Sequence, residues 1–330
     1  TLNGKIDYSS VEAKNELLNN YFKSCQENIS GEKVKVKIED LILDLERKGN
    51  SIKEHIQKNE WLENKEGYNW YNGYYDNDGK RLEGDHPLGV RMTLTGQVFS
   101  IMSGVAAEKQ IKAIIKSADH YLKEDKVGGY RLNTNFKEVE LNMGRAFGFA
   151  YGEKENGAMF SHMAMMFSNA LYKRNFSKNG FEVINSIFNH CKNFEKSRIY
   201  PGIPEYIDAR GRGLYHYLTG SASWLLLTMV NQVYGIQGEI GDLKLAPQLV
   251  RSQFNFQNRT SIEVYFAGRK LKITYHNSNL KDVYDYKIRE IKIDSENIDF
   301  KPQDGNAIIK REILNKLDKG EKHKIDVILN

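Results

Sequence analysis

Residues 70–79 place aromatic side chains directly beside carboxylates, in the sequence W-Y-N-G-Y-Y-D-N-D-G. Aromatic rings such as those of Tyr74 and Tyr75 stack on the C–H faces of sugars, and carboxylates and amides bind sugar hydroxyls, so this stretch is a candidate carbohydrate subsite. A carboxyl group desolvated by aromatic rings has a raised pKa and is suited to protonating a glycosidic oxygen. Asp76 and Asp78 are both candidates for that acid. The alternative interpretation is that D-N-D-G forms an ordinary turn.

A second candidate binding segment covers residues 154–162, where polar residues precede a helix predicted over 157–172. The first turn of a helix has free N–H groups and a positive dipole end, which together bind anions. His162 is therefore a candidate oxyanion ligand, with Lys154 and Glu155 just before it. In the alternative interpretation Asn156 is a helix N-cap and His162 is an ordinary core histidine.

A third candidate segment, residues 215–224, has the sequence Y-H-Y-L-T-G-S-A-S-W. The hydroxyl of Thr219, the close backbone approach allowed by Gly220 and the start of a predicted helix together form a candidate phosphate cradle. Alternatively, Thr219 is simply a helix cap and the small residues allow close helix packing. In the loop that precedes this segment, Glu205 adds a carboxylate beside an aromatic residue, and the R-G-R-G sequence at 210–213 adds charges that are either anion ligands or solvated.

The elements that must position these segments are mostly helical up to about residue 247. Apolar residues recur at helical spacing over 36–56, as one helix or two, and again over 94–102, 111–118, 181–194 and 219–234. After Pro247, period-two alternation over 262–266, 270–275, 288–293 and 324–328 predicts strands of a small antiparallel sheet. The sequence thus predicts a mainly α helical domain over 1–247 and a β-rich domain over 248–330.

Composition excludes several classes of protein. The chain has 330 residues with 48 basic and 43 acidic side chains, a net charge of +5 without a basic block, so nucleic acid is not an expected partner. The two cysteines lie far apart, at Cys25 and Cys191, which predicts neither a disulfide framework nor a zinc site. No apolar run is long enough to cross a membrane. These features predict a cytoplasmic protein without a metal or an organic cofactor.

The candidate segments, taken in order, resemble the inverting glycoside phosphorylases of glycoside hydrolase family 94. The resemblance is carried by N-G-Y-Y-D-N-D-G, K-E-N-G-x-x-x-S-H, P-E-Y and Y-L-T-G-S-A-S-W, and it covers about residues 35–250. The sequences of residues 70–84, 90–104 and 203–224 are most similar to those of the members that act on β-1,2-linked glucooligosaccharides, the 1,2-β-oligoglucan phosphorylases.

This resemblance implies the C-terminal part of an (α/α)6 toroid followed by a β-rich segment. It also implies phosphorolysis of a β-glucosidic bond with inversion, which releases α-glucose 1-phosphate and a shortened oligosaccharide and needs inorganic phosphate but no cofactor. Asp78 matches the general acid, and Asp76 stands where many members have Trp. The implied phosphate ligands are His162, Thr219 and Gly220, and the implied or neighbouring sugar-binding residues are Tyr74, Tyr75, Asp76, Lys154, Glu155 and Glu205.

Members of this family are far longer, and they take further phosphate-binding arginines from an earlier part of the toroid. We therefore expect this chain to be the C-terminal portion of a longer polypeptide or to work beside a separate N-terminal chain. Two other functions fit the same residues. One is an inverting hydrolase with Asp78 as the acid and Glu205 or Glu155 as the base. The other is a non-catalytic carbohydrate-binding module.

Overall fold

The computed structural model describes residues 10–26, 34–199 and 202–330. The chain divides into two units, one ending at Trp61 and the other covering Leu62–Asn330. The first unit contains helices α1 (Val11–Ser24) and α2 (Ile38–Asn59). The side chain of Ser10 caps α1 by accepting a hydrogen bond from the N–H of Ala13. Helix α2 runs through Gly49 without a break, so the apolar stripe predicted as one helix or two forms one.

The second unit holds the other helices of the described residues. These are α3 (Leu94–Met102), α4 (Glu108–Tyr121), α5 (Ser161–Lys173), α6 (Ser177–Lys192), α7 (Phe194–Ser197), α8 (Gly220–Thr228) and α9 (Arg311–Asn315). The helices predicted from the spacing over 94–102 and 111–118 are confirmed as α3 and α4. In the short turn between them Gly104 has a φ of +81°, and the side chain of Gln110 accepts a hydrogen bond from the N–H of Ala107. Helix α5 is buried along nearly its whole length because it packs against α3, α6 and α8.

Short strands pair with one another within the loops between these helices. They are β1 (Trp61–Glu63), β2 (Asn69–Tyr71), β3 (Lys123–Glu124), β4 (Gly129–Tyr130), β5 (Met159–Phe160), β6 (Tyr206–Ile207) and β7 (Gly213–Leu214). The last three form one antiparallel sheet in the order β5-β6-β7, in which Phe160 pairs with Tyr206 and Tyr206 pairs with Leu214. This small sheet brings the start of α5 beside the loop that precedes α8.

Longer strands dominate the last third of the chain. They are β8 (Ile236–Glu239), β9 (Asp242–Leu245), β10 (Arg259–Phe266), β11 (Arg269–His276), β12 (Ile288–Ile293), β13 (Glu296–Asn297), β14 (Lys301–Gln303), β15 (Asn306–Ile309) and β16 (Lys322–Leu329). One sheet has the order β10-β11-β16-β12-β13 and another has the order β14-β15-β9-β8. Alternate residues of β11 and β16, including Ile273, Tyr275, Ile325 and Val327, are fully buried in a common core.

The four predicted strands are all present, but the expectation of a purely antiparallel sheet is wrong at one pairing. Strands β11 and β16 are parallel, with Ile273 beside Ile325. The hydrophobic alternation that reveals a strand does not encode the direction of its neighbour, which is why the sequence could not reveal this pairing. The partial (α/α)6 toroid and the domain division at residue 247 stay predictions. Among the described residues, no helix is both long and apolar enough to cross a membrane.

Candidate active site

The first candidate segment folds as a hairpin, residues 73–83, which we call the acid hairpin. The N–H of Leu82 donates to the carbonyl of Tyr74, and the N–H of Asp76 donates to the carbonyl of Lys80. At the tip Gly79 has a φ of +74°, in the left-handed region that favours glycine. The predicted turn at D-N-D-G is therefore confirmed, and it presents Asp78 at the end of a hairpin.

The two candidate acids have different surroundings. Oδ1 of Asp76 accepts hydrogen bonds from the N–H groups of Asp78, at 3.0 Å, and Lys80, at 2.8 Å, so this carboxylate closes the turn. The carboxylate of Asp78 is exposed and its Oδ2 accepts a hydrogen bond from Nδ2 of Asn142 at 2.9 Å. Asp76 is thus half-buried and closes the turn through Oδ1, whereas Asp78 is exposed at the tip, and only its Oδ2 has a hydrogen-bond partner within the described residues.

The base of the acid hairpin is fixed by a buried carboxylate, that of Glu83, which is 5% exposed. Its Oε1 accepts hydrogen bonds from the N–H of Gly73 and the hydroxyl of Thr93, both at 2.7 Å, and its Oε2 accepts one from the N–H of Thr93 at 2.8 Å. Burial raises the pKa of Glu83 to about 7, although these hydrogen bonds lower it. Sequence reasoning missed this residue because a single Glu beside Gly carries no sign of burial.

Residues 141–149, which we call the bridging segment, contact both the acid hairpin and the second candidate segment. The ring of Phe147 lies edge-on to that of Tyr74, with centroids 6.1 Å apart. The guanidinium of Arg145 lies 3.2 Å from Oε1 of Glu155. Through these contacts the structure links the predicted sugar-binding tyrosine to the predicted sugar-binding carboxylate. Tyr74 and its neighbour Tyr75 are 41% and 45% exposed, as stacking surfaces must be.

Lys154 and Glu155 belong to the second candidate segment, which the bridging segment contacts through Arg145. The ammonium of Lys154 lies over the rings of Phe149 and Tyr215, at 5.2 and 5.7 Å from their centroids. Within the described residues Lys154 has no ion-pair partner, and Oε2 of Glu155 is buried without a hydrogen-bond partner. A buried carboxylate oxygen without a donor is costly, and a ligand hydroxyl would satisfy it.

The predicted anion ligands converge at the start of α8. Gly220 lies directly against the ring of His162: a Cβ atom at this position would lie well inside van der Waals contact with Nδ1 and Cε1. Thr219 is the N-cap of α8, and its Oγ1 accepts a hydrogen bond from the N–H of Ser221 at 3.2 Å. The capping interpretation of Thr219 is therefore correct, and it coexists with the contact between His162 and Gly220.

The alternative interpretations of Asn156 and His162 both fail. Helix α5 begins at Ser161, so Asn156 is not its N-cap; its amide instead donates to the carbonyl of Phe149 at 2.7 Å. His162 is only half-buried, and in the described part of the chain its ring has no hydrogen-bond partner. An imidazole that is near the surface and has no partner is available to a ligand, unlike a satisfied core histidine.

Aromatic residues from the small sheet β5-β6-β7 connect the predicted anion ligand His162 to the predicted sugar ligand Glu155. The rings of Phe160 and Tyr206 are stacked with centroids 4.5 Å apart, and that of Phe160 is 5.4 Å from His162. Burial, together with the negative charges of Glu155 and Glu205, raises the pKa of Tyr206 to about 12. Both carboxylates therefore lie near this phenol. Tyr206, which the sequence analysis included only as the aromatic residue of the P-E-Y motif, is a further candidate ligand.

Of the two arginines before α8, Arg212 has its guanidinium bonded to the buried carboxylate of Asp208. Asp208 is completely buried, and its Oδ2 accepts hydrogen bonds from Nε and Nη2 of Arg212, both at 3.0 Å. Its Oδ1 accepts from the N–H groups of Arg210 and Arg212. Although burial alone would raise it, these hydrogen bonds from the 210–212 backbone and the Arg212 side chain keep the pKa of Asp208 lowered. Arg212 therefore closes this turn.

The sequence matches a known family over most of its length. Residues 21–235 match the family model described as "Glycosyl hydrolase 94 superfamily, catalytic domain". This range contains all the candidate residues described above.

Two characterised relatives are phosphorylases. The cellobionic acid phosphorylase of Neurospora crassa is 23% identical over 205 residues, which cover 58% of this chain and 25% of the relative. The solabiose phosphorylase of Paenibacillus borealis is 20% identical over 240 residues, which cover 69% of this chain and 29% of the relative. The chain therefore spans less than a third of the length of either.

A solved structure also aligns with the chain, that of a family GH92 α-mannosidase from Bacteroides thetaiotaomicron in complex with mannoimidazole. The alignment covers 88% of this chain and 33% of the mannosidase, with 11% identity and a TM-score of 0.32. A TM-score this low carries no argument about the fold.

Proposed function

This chain belongs to the glycosyl hydrolase 94 superfamily, and from that membership we propose that it carries the catalytic C-terminal part of an inverting glycoside phosphorylase. The proposed reaction is attack of inorganic phosphate on a β-glucosidic bond, giving α-glucose 1-phosphate and a shortened glucooligosaccharide. Both characterised relatives are phosphorylases, which supports phosphate as the attacking group. The proposed linkage is β-1,2, and it rests on the resemblance of the loop sequences alone.

In the proposed reaction Asp78 protonates the glycosidic oxygen as the C–O bond breaks, and the bond electrons remain on the departing sugar. A phosphate oxygen forms the new bond to the anomeric carbon from the opposite face. Because phosphate is the nucleophile, a second carboxylate is not needed as a base. The exposure of Asp78 at the hairpin tip supports this assignment over Asp76, which is half-buried and accepts two backbone N–H groups of the turn through Oδ1.

We place phosphate at the start of α8, against His162, Thr219 and Gly220. The contact between Gly220 and the His162 ring, at a helix N-terminus, is the observation that carries this assignment. We place the sugar beside Tyr74, Tyr75, Lys154, Glu155 and Glu205. The buried, unpartnered Oε2 of Glu155 supports a hydroxyl ligand there.

We further propose that the remainder of the toroid comes from further polypeptide, in the same chain or in another. Apolar side chains of α2 are exposed, among them Leu41 at 42%, Leu43 at 60% and Leu45 at 58%. Such a surface is unusual for a protein that works alone. We propose that the missing phosphate-binding arginines come from that further polypeptide. A cytoplasmic location stays a prediction.

The direct test is phosphate dependence, assayed with β-1,2-glucooligosaccharides and with other β-glucosides on the longest natural polypeptide that contains this chain. We expect α-glucose 1-phosphate to form only when phosphate is present, with the anomer assigned by NMR. Release of free glucose at full rate without phosphate would instead identify an inverting hydrolase. Sugar binding without turnover would identify a binding module.

The acid assignment has a matched pair of variants. Asp78→Asn removes the transferable proton and is expected to lower kcat by about 10²–10⁴-fold while largely preserving sugar binding. Asp76→Asn keeps an oxygen that can accept the two backbone hydrogen bonds of the turn, so it is expected to retain activity. The opposite pattern would transfer the acid role to Asp76.

A further inference from the structure

Asn142, in the bridging segment, contacts the proposed acid more directly than any other side chain among the described residues. Its Nδ2 donates to Oδ2 of Asp78 at 2.9 Å, and its backbone carbonyl accepts a hydrogen bond from the N–H of Asn77 at 3.1 Å. Side chain and main chain thus hold the same hairpin tip at two points. The partners are 64 residues apart in the sequence, so no local pattern predicts the contact.

The position of Asn142 is itself fixed by its neighbours. It lies in a helical turn, Leu141–Met143, whose last residue is 3% exposed and packs in a cluster with Leu82 and Phe147. Leu82 belongs to the acid hairpin, so the same apolar cluster supports both the amide of Asn142 and the carboxylate of Asp78. On the other side of Asn142, the carboxylate of Glu140 lies 2.6 Å from the buried guanidinium of Arg91.

From this geometry we infer that Asn142 is a positioning residue that determines which oxygen of Asp78 carries the transferable proton. The inference rests on the proposed function. An amide NH₂ group only donates, so the oxygen that it faces must offer a lone pair. The acidic proton is therefore carried by Oδ1. It passes from there to the glycosidic oxygen as the C–O bond breaks, and the resulting carboxylate keeps the amide donor on Oδ2.

The experiment compares two substrates that differ in their need for an acid. A glucooligosaccharide has a poor leaving group, which must be protonated, whereas 2,4-dinitrophenyl β-glucoside releases a stable anion without protonation. Initial rates of phosphorolysis are measured for the wild type, Asn142→Ala and Asp78→Asn. Leu141→Ala is the control, because Leu141 is the neighbouring residue in the same turn and is 85% exposed.

We expect Asn142→Ala to lower kcat for the oligosaccharide by about ten- to a hundredfold, a part of the 10²–10⁴-fold range of general-acid catalysis. KM for both substrates and kcat for the dinitrophenyl glucoside should stay within about threefold of the wild type, which is less than 1 kcal/mol on the tenfold-per-1.4 scale. Leu141→Ala should match the wild type on both. Asp78→Asn should show the same dependence on the leaving group, to a larger extent.

Two results would overturn the inference: an equal loss on both substrates, which means that Asn142 acts only through the fold, or no loss on either. Failure of the proposed function gives a different pattern. If Asp78→Asn keeps full activity on the oligosaccharide, the acid has been wrongly assigned and the inference fails with it. If Asp78→Asn shows the leaving-group dependence and Asn142→Ala does not, the proposed acid stands and only the role of Asn142 is refuted.

Discussion

The buried carboxylate of Glu83 makes the stability of this fold depend on pH in an unusual direction. Burial raises its pKa from an ordinary 4.5 to about 7. Below pH 4.5 both the folded and the unfolded chain hold the proton. Between pH 4.5 and 7 the unfolded chain loses its proton first, so the free energy of unfolding falls as the pH rises. The loss is complete once the pH exceeds the folded pKa.

The magnitude follows from the two pKa values. At about 1.36 kcal/mol for each pH unit that separates them, the interval from 4.5 to about 7 corresponds to about 3 kcal/mol. Glu83→Gln removes this titration while keeping the size of the side chain. In the variant an amide N–H or oxygen faces the N–H of Thr93 in place of the carboxylate oxygen, which changes the free energy of unfolding by a constant amount. That amount does not change with pH.

The assay is urea denaturation of the wild type and of Glu83→Gln at half-unit steps from pH 4 to 8, followed by the fluorescence of the three tryptophans, which include the buried Trp70. The quantity of interest is the wild-type free energy of unfolding minus that of the variant, because contributions from other titrating groups cancel in this difference. We expect the difference to fall by about 3 kcal/mol between pH 4.5 and 7 and then to level off. A difference that is flat across this range, or that rises with pH, would refute the reasoning.

Two further predictions, one of them with a control substitution, test the candidate site and its support. Gly220→Ala would press a methyl group into the His162 ring and should raise KM for phosphate at least about tenfold. Gly49→Ala is the control: no atom lies within 4 Å of the added carbon, so KM should be unchanged and α2 should be stabilised by up to about 1 kcal/mol. Similar KM values for the two variants would contradict the phosphate assignment. Asp208→Asn should destabilise the protein by about 2 kcal/mol at pH 7, because a buried carboxylate with charged and backbone donors is lost. Since the pKa of Asp208 is lowered, its contribution is present above pH 3.8 and is lost as the pH falls through the folded value. The free energy of unfolding of the wild type minus that of the variant should therefore decrease in acid.

Most helices and the long strands could be predicted from the sequence because their hydrophobic periodicity is strong. The buried faces of α4 and β11 follow the three-to-four-residue and two-residue periods, respectively. Periodicity identifies a helix or strand and its buried face, but it identifies neither the neighbouring strand nor whether the two strands run parallel or antiparallel. The parallel pairing of β11 with β16 joins strands about 50 residues apart, and no local signal specifies it.

The candidate site was predictable to the extent that its residues lie in short motifs. The D-N-D-G turn and the capping role of Thr219 follow from local backbone chemistry. The residues that hold the motifs in place were not predictable. Glu83 and Asn142 resemble ordinary surface polar residues in the sequence, and only the tertiary fold gives them a buried hydrogen-bond network and an acid partner.

The position of β16 constrains the order in which the protein can assemble on the ribosome. This strand lies between β11 and β12, so the two halves of the five-stranded sheet are joined through the last segment of this sequence to be synthesised. Until residues 322–329 emerge, the nascent chain presents one uncovered strand edge on each half, and such edges are prone to pairing with other chains. A ribosome that stalls before Lys322, or a nonsense codon there, therefore yields a product that aggregates or engages chaperones, even though every residue of the candidate site is already in place.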